Sequence, residues 1–148
     1  MSFHEKSTAV MLGGIILVYS WYFTQMLAIA ETAPVDEGVA AIATIAPLLG
    51  ITIAALVGIA IVAHIVIAIV DVSRQGDVDD AKDERDELID LKSEQRGSIA
   101  LTIGALAVLT MMLTGFSMFW AANALLGAMV LSTIVKASFQ LYYYRRGV

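Results

Sequence analysis

The sequence contains no cysteine, which excludes disulfides, thiolate catalysis and cysteine-ligated metals. Histidine is scarce: His4 and His64 stand too far apart to share a helix face, which argues against a haem or metal centre within one chain. There is no phosphate-binding glycine loop, dinucleotide-binding glycine motif, nucleophile elbow or HExxH pair. The acidic run from Asp77 to Glu87 fails the EF-hand spacing, because Lys82 stands where that loop needs glycine. No cofactor is therefore expected, and nothing marks an enzyme. The net charge of −5 resides in one acidic stretch, which argues against a nucleic-acid partner needing a basic surface.

Apolar surface is what the chain has in excess. Hydrophobic residues make up 59% of the 148 positions, and mean hydropathy is +0.80, beyond the range of an ordinary soluble domain. Against that background the segment Asp71–Arg96 holds ten of the fourteen acidic residues and five of the nine basic ones. It divides the chain into two apolar halves.

Four membrane spans are predicted. Residues 8–30 are apolar for long enough to cross a hydrocarbon core of ~30 Å, with Trp21, Tyr22 and Phe23 towards the far end. No cleavage site follows promptly, so this reads as a retained span rather than a signal peptide. Residues 39–70 form the second, with Pro47 expected to bend it. Residues 99–144 are too long for one helix, and the break is expected at Phe119–Asn123, giving spans over about 99–118 and 124–143. Gly97–Ser98 offers an elbow before the third. The fold class is thus an all-α membrane protein: two helical hairpins in a single domain, plus a charged helix over about 77–96. A faint repeat fits two hairpins, since Ser7–Gly13 and Ser98–Gly104 share three identities in seven.

On a helical wheel, Lys82, Arg85, Lys92 and Arg96 cluster with Val78, Ala81, Leu88 and Ile89, while most carboxylates lie opposite. Two readings stay open. One is a helix lying under the bilayer, its cations at lipid headgroups. The other is a solvated helix continuing into the third span. Lys6, Arg74, Lys82, Arg85, Lys92, Arg96, Arg145 and Arg146 all fall on one side of four spans, and the opposite connections carry no basic residue. The positive-inside rule then places both termini and the charged segment in the cytoplasm.

Within the spans, Ala46, Gly50, Ala54 and Gly58 recur every four residues, a stripe that lets another helix approach closely. The fourth span carries Ala124, Ala128, Ser132, Lys136 and Gln140 at the same step, expected to face protein. Lys136 and His64 should reach similar depth, so a polar cluster of His64, Asp71, Lys136 and Gln140 is expected if spans two and four pack together. It is either a proton or ion path or structural, with Lys136 reaching to the surface and His64 bonded to a backbone or serine partner.

Glu5-Lys6-Ser7 ahead of the first span, and Asp83-Glu84-Arg85-Asp86-Glu87-Leu88-Ile89 ahead of the third, carry a resemblance. The chain resembles a group of small, uncharacterised bacterial four-helix membrane proteins with a cytoplasmic Asp-Glu-Arg-Asp-x-x-Ile signature. The resemblance implies a multi-pass protein of the bacterial inner membrane and transfers no catalytic residue. The expected partners are membrane lipids and either further copies of the chain or a larger membrane complex. The expected role is non-enzymatic, by self-association or as a regulatory subunit. The alternative is a small oligomeric transporter or channel using Lys136, His64 and Asp71.

Overall fold

The computed structural model describes residues 3–33, 39–75 and 84–146; within these, the side chains of residues 3–4, 39–41 and 70–75 lie outside the description. The described elements are four helices: α1 (Phe3–Thr32), α2 (Val39–Gln75), α3 (Glu84–Leu113) and α4 (Met118–Arg146). Each is long and apolar enough to cross a membrane, the build of a multi-pass membrane protein. A helix suits that solvent because it satisfies its own backbone groups. Apolar side chains go nearly all the way round, and only 11% to 22% of the most apolar window of each helix is buried.

Two boundaries differ from expectation. Phe119–Asn123 is not a turn: it lies inside α4, and Phe119 and Asn123 are buried. The break comes earlier, at Gly115, whose φ of +86° suits a residue without Cβ. There the amide of Gly115 donates to the Met112 carbonyl and that of Phe116 to the Met111 carbonyl, a Schellman closure of α3. Nor is there an elbow at Gly97–Ser98, because α3 runs unbroken from Glu84 to Leu113. The second half of the expected charged helix is thus the start of α3; residues 77–83, including Lys82, lie outside the described residues. α2 continues through Pro47.

The helices form an open row rather than a closed bundle. α1 and α4 meet in the middle, α2 packs on the free side of α1, and α3 packs on α4. α2 touches α4 only lightly, and among the described residues α3 touches α4 alone. Neighbours run antiparallel. Ser7 meets His64 and Gly14 meets Ile59 between α1 and α2; Thr8 meets Gln140 and Phe23 meets Gly127 between α1 and α4. Close approach follows small residues: a Cβ on Gly104 would strike Ala128, and one on Gly97 would sit 3.2 Å from the Ser132 carbonyl.

One core cluster, Tyr22, Met26, Ile45 and Phe119, joins α1, α2 and α4 at the end remote from the termini. Tyr22 donates a 2.8 Å hydrogen bond to Asn123 Oδ1, and Asn123 Nδ2 donates to the Phe119 carbonyl at 2.8 Å. The asparagine expected in a turn is instead the polar pin of the core.

Candidate functional site

At the opposite end, where α1 begins and α4 ends, polar side chains from three helices surround a cavity of about 320 Å³. α1 contributes Ser7 and Thr8, α2 contributes His64, and α4 contributes Thr133, Lys136 and Gln140. Three of the four residues expected in a polar cluster, His64, Lys136 and Gln140, therefore line one space. The fourth, Asp71, lies on α2, with its side chain outside the described residues.

The hydrogen bonds define what each group can still do. His64 Nδ1 lies 2.7 Å from the Ala60 carbonyl. A carbonyl only accepts, so Nδ1 carries the proton in the neutral ring. The Ser7 hydroxyl then donates to Nε2 across 3.1 Å. The Thr8 hydroxyl donates to Gln140 Oε1 at 3.3 Å, and that of Thr133 donates back to the Met129 carbonyl at 2.9 Å. Among the described residues, no group of three or more metal-ligating side chains converges here or elsewhere.

Lys136 pairs with α3. Its ammonium bonds Glu94 and lies 3.7 Å from Asp90. Whether Asp71 also reaches Lys136, as a cluster with it would require, lies outside the described residues. The stripe containing Lys136 follows the α3–α4 seam: Ala128 faces Gly104, and the Ser132 hydroxyl donates to the Gly97 carbonyl at 2.8 Å. Gln140 turns to α1, where it accepts from Thr8.

The charged part of α3 packs on α4 through Ile89, Ser93 and Gly97, all buried. The wheel centred on Arg85 included Ile89 but missed the two small residues, so the buried face is rotated away from the basic side. Acids flank the seam on one side and cations on the other. Leu88, Arg85, Lys92 and Arg96 are exposed. Arg85 donates to the Tyr144 carbonyl at 3.5 Å, and the Arg96 guanidinium stands 5.6 Å from the Phe139 ring centre. Near the same end Glu5, almost buried, lies 3.7 Å from Arg145.

The stripe Ala46, Gly50, Ala54 and Gly58 is exposed along its whole length. Nothing lies within 4 Å of a Cβ built on Gly50 or Gly58. Its neighbour within the chain is therefore not another described helix.

Sequence reasoning missed Ser7 and Thr8 in the cavity and Asp90 and Glu94 beside Lys136. Hydroxyls at the head of a span carry little signal alone. The acids, though, share the step of four that places them along Lys136's own seam. In comparisons with known proteins, the chain matches no family model, no curated protein and no solved structure.

Proposed function

We propose that this chain is a small non-enzymatic protein of the bacterial inner membrane that works by self-association, α2 against α2 of a second copy. One observation carries the reading. Gly14, Gly97, Gly104 and Gly127 each meet a neighbouring helix, whereas Gly13, Gly50 and Gly58 meet none, and of these only Gly50 and Gly58 belong to a continuous exposed stripe of small residues. A surface of small residues is complementary to itself, which suits a two-fold interface where the same patch meets its copy. α2 also stands at the edge of the row, where a second copy can reach it.

The same proposal sets both termini and the acidic segment in the cytoplasm, in line with the one-sided distribution of lysine and arginine. Labelling of cysteines introduced at Asp36 and Asp83 should report opposite sides of the membrane.

The absence of native cysteine makes the interface directly testable. Ala54→Cys should give a disulfide-linked dimer when native membranes are oxidised. Ile103→Cys, also exposed but on α3, should not. Only monomers from Ala54→Cys, or equal crosslinking from both positions, would overturn the proposal, as would a heterologous protein linked in place of a second copy.

The polar cavity favours a second reading, transfer of an ion or small solute. A path through one chain would have to pass Tyr22, Met26, Ile45 and Phe119, packed together in the remote half. Lys136→Met should abolish a pH-dependent flux in proteoliposomes if that reading holds, and unchanged flux removes it.

A further inference from the structure

Because α2 and α4 both pack on α1 but scarcely on each other, the surface of α1 between them is left as a groove. Two cavities lie along it and share Met11, Ile15 and Thr133. The first is the polar one of about 320 Å³. The second, about 230 Å³, is lined by apolar side chains including Leu56, Leu126 and Met129, and reaches Tyr19. The groove is therefore polar at the end near the termini and apolar towards the middle of the helices.

Its length and its hydrogen bonding both restrict the occupant. From Ser7 to Tyr19 is twelve residues of α1, or about 18 Å at the helical rise. One leaflet of a ~30 Å hydrocarbon core is about 15 Å thick. The groove thus runs the depth of one leaflet, the reach of an acyl chain entering from the headgroup level. At the polar end, the Ser7 and Thr8 hydroxyl hydrogens are already directed to His64 and Gln140, and the imidazole N–H to Ala60. What remains on the donor side is the Gln140 amide. The Gln140 carbonyl accepts from Thr8, leaving its amide N–H groups without a partner among the described residues. No carboxylate is among the residues lining the cavity. Glu94 and Asp90 already hold the Lys136 ammonium, so the Gln140 amide is the donor left for the head of a ligand, and an anionic oxygen is its strongest acceptor.

We propose that the groove holds one acyl-chain amphiphile of the surrounding bilayer, its oxyanion head at the Gln140 amide and its chain along Ile15, Leu56 and Met129. A carboxylate and a phosphate head share this chemistry. The site does not depend on self-association, since it lies between helices of one chain.

The test is equilibrium binding to delipidated full-length protein in a non-ionic detergent, with palmitate, oleoyl lysophosphatidate, hexadecanol and inorganic phosphate as probes. Palmitate or lysophosphatidate should bind at least about tenfold more tightly than hexadecanol, the expectation for a charge-assisted hydrogen bond. Inorganic phosphate should not compete. Tighter binding of palmitate marks a free fatty acid as the source, and of lysophosphatidate a phospholipid. Gln140→Leu should weaken the oxyanion probes about tenfold and leave hexadecanol unchanged. Ile15→Trp and Leu56→Trp fill the groove from opposite walls, and each should abolish binding while helical content persists. Equal affinity for hexadecanol and palmitate, or full binding by both folded tryptophan variants, would overturn the proposal.

Discussion

Gly104 marks the tightest point of the α3–α4 seam. A methyl at this position would collide with the Ala128 methyl and stand 3.3 Å from Ala128 Cα, where carbon atoms prefer roughly 3.5–4.0 Å. Gly104→Ala must therefore push α3 and α4 apart, along a seam that also carries the Ser132–Gly97 hydrogen bond and the Lys136 ion pairs. Overpacking of this kind costs about 1–3 kcal/mol. Alanine is also a better helix former than glycine by up to about 1 kcal/mol, so the single variant understates the clash. Gly13 supplies the correction, because no atom lies within 4 Å of a Cβ built there. Gly13→Ala should be neutral or stabilising, and the difference between the two variants, about 1–3 kcal/mol, isolates the seam. The assay is reversible unfolding in bicelles followed by steric trapping or denaturant. Gly104→Ala as stable as Gly13→Ala would refute the reasoning. Moving the methyl across the seam, in Gly104→Ala with Ala128→Gly, should recover most of the loss; failure to recover would locate the cost outside this contact.

Gly115→Ala should destabilise by about 1–2 kcal/mol, since an L side chain is strained in the left-handed region; Gly115→Asn should lose less, and equal thermal midpoints for all three proteins would contradict the Schellman closure. Tyr22→Phe removes the donor to Asn123 inside the core and should cost about 0.6–1.7 kcal/mol, the range for hydrogen bonds between membrane helices. A double-mutant cycle with Asn123→Ala should return a coupling of that size, and zero coupling would mean the pair contributes nothing. Glu94→Gln should cost no more than about 1 kcal/mol, because the Lys136 pair is partly exposed. That cost should shrink in 1 M salt, where screening acts over about 3 Å; a loss that salt does not touch at all would indicate a packing effect.

The helices were legible in the sequence because lipid leaves little choice: an apolar run of span length has to satisfy its backbone internally. Their ends were less so. Phe119–Asn123 resembles an interfacial turn, with aromatic residues followed by a polar one. Yet Asn123 is satisfied by Tyr22, 101 positions earlier, and no local pattern encodes that partner. Gly115 decides the break by its backbone, four residues before the aromatic pair. Depth set His64 and Lys136 at one level and the step of four carried Gln140 along with Lys136, and the three line one cavity. The partner of Lys136 was not legible, because it depends on which helix lies beside α4. Hydrophobicity did not mark the packed face of α3, where Ser93 and Gly97 join Ile89 at the contact and Leu88 is exposed.

Small residues therefore mean two different things in this chain, and α2 separates them. Its inward face is held on α1 by Ile59 over Gly14 and by Ile45 in the core, with Leu56 and His64 forming one wall of the groove. Its stripe, from Ala46 to Gly58, points away from that contact. A helix can hold two such surfaces independently, because residues at steps of four stay on one side. Association through the stripe and occupancy of the groove should accordingly be separable. Gly58→Leu, which puts a large side chain on the stripe, should lose the dimer and keep palmitate or lysophosphatidate binding. Leu56→Trp should do the reverse. Loss of both properties in either folded variant would mean that α2 moves as it binds, and that the two faces act as one.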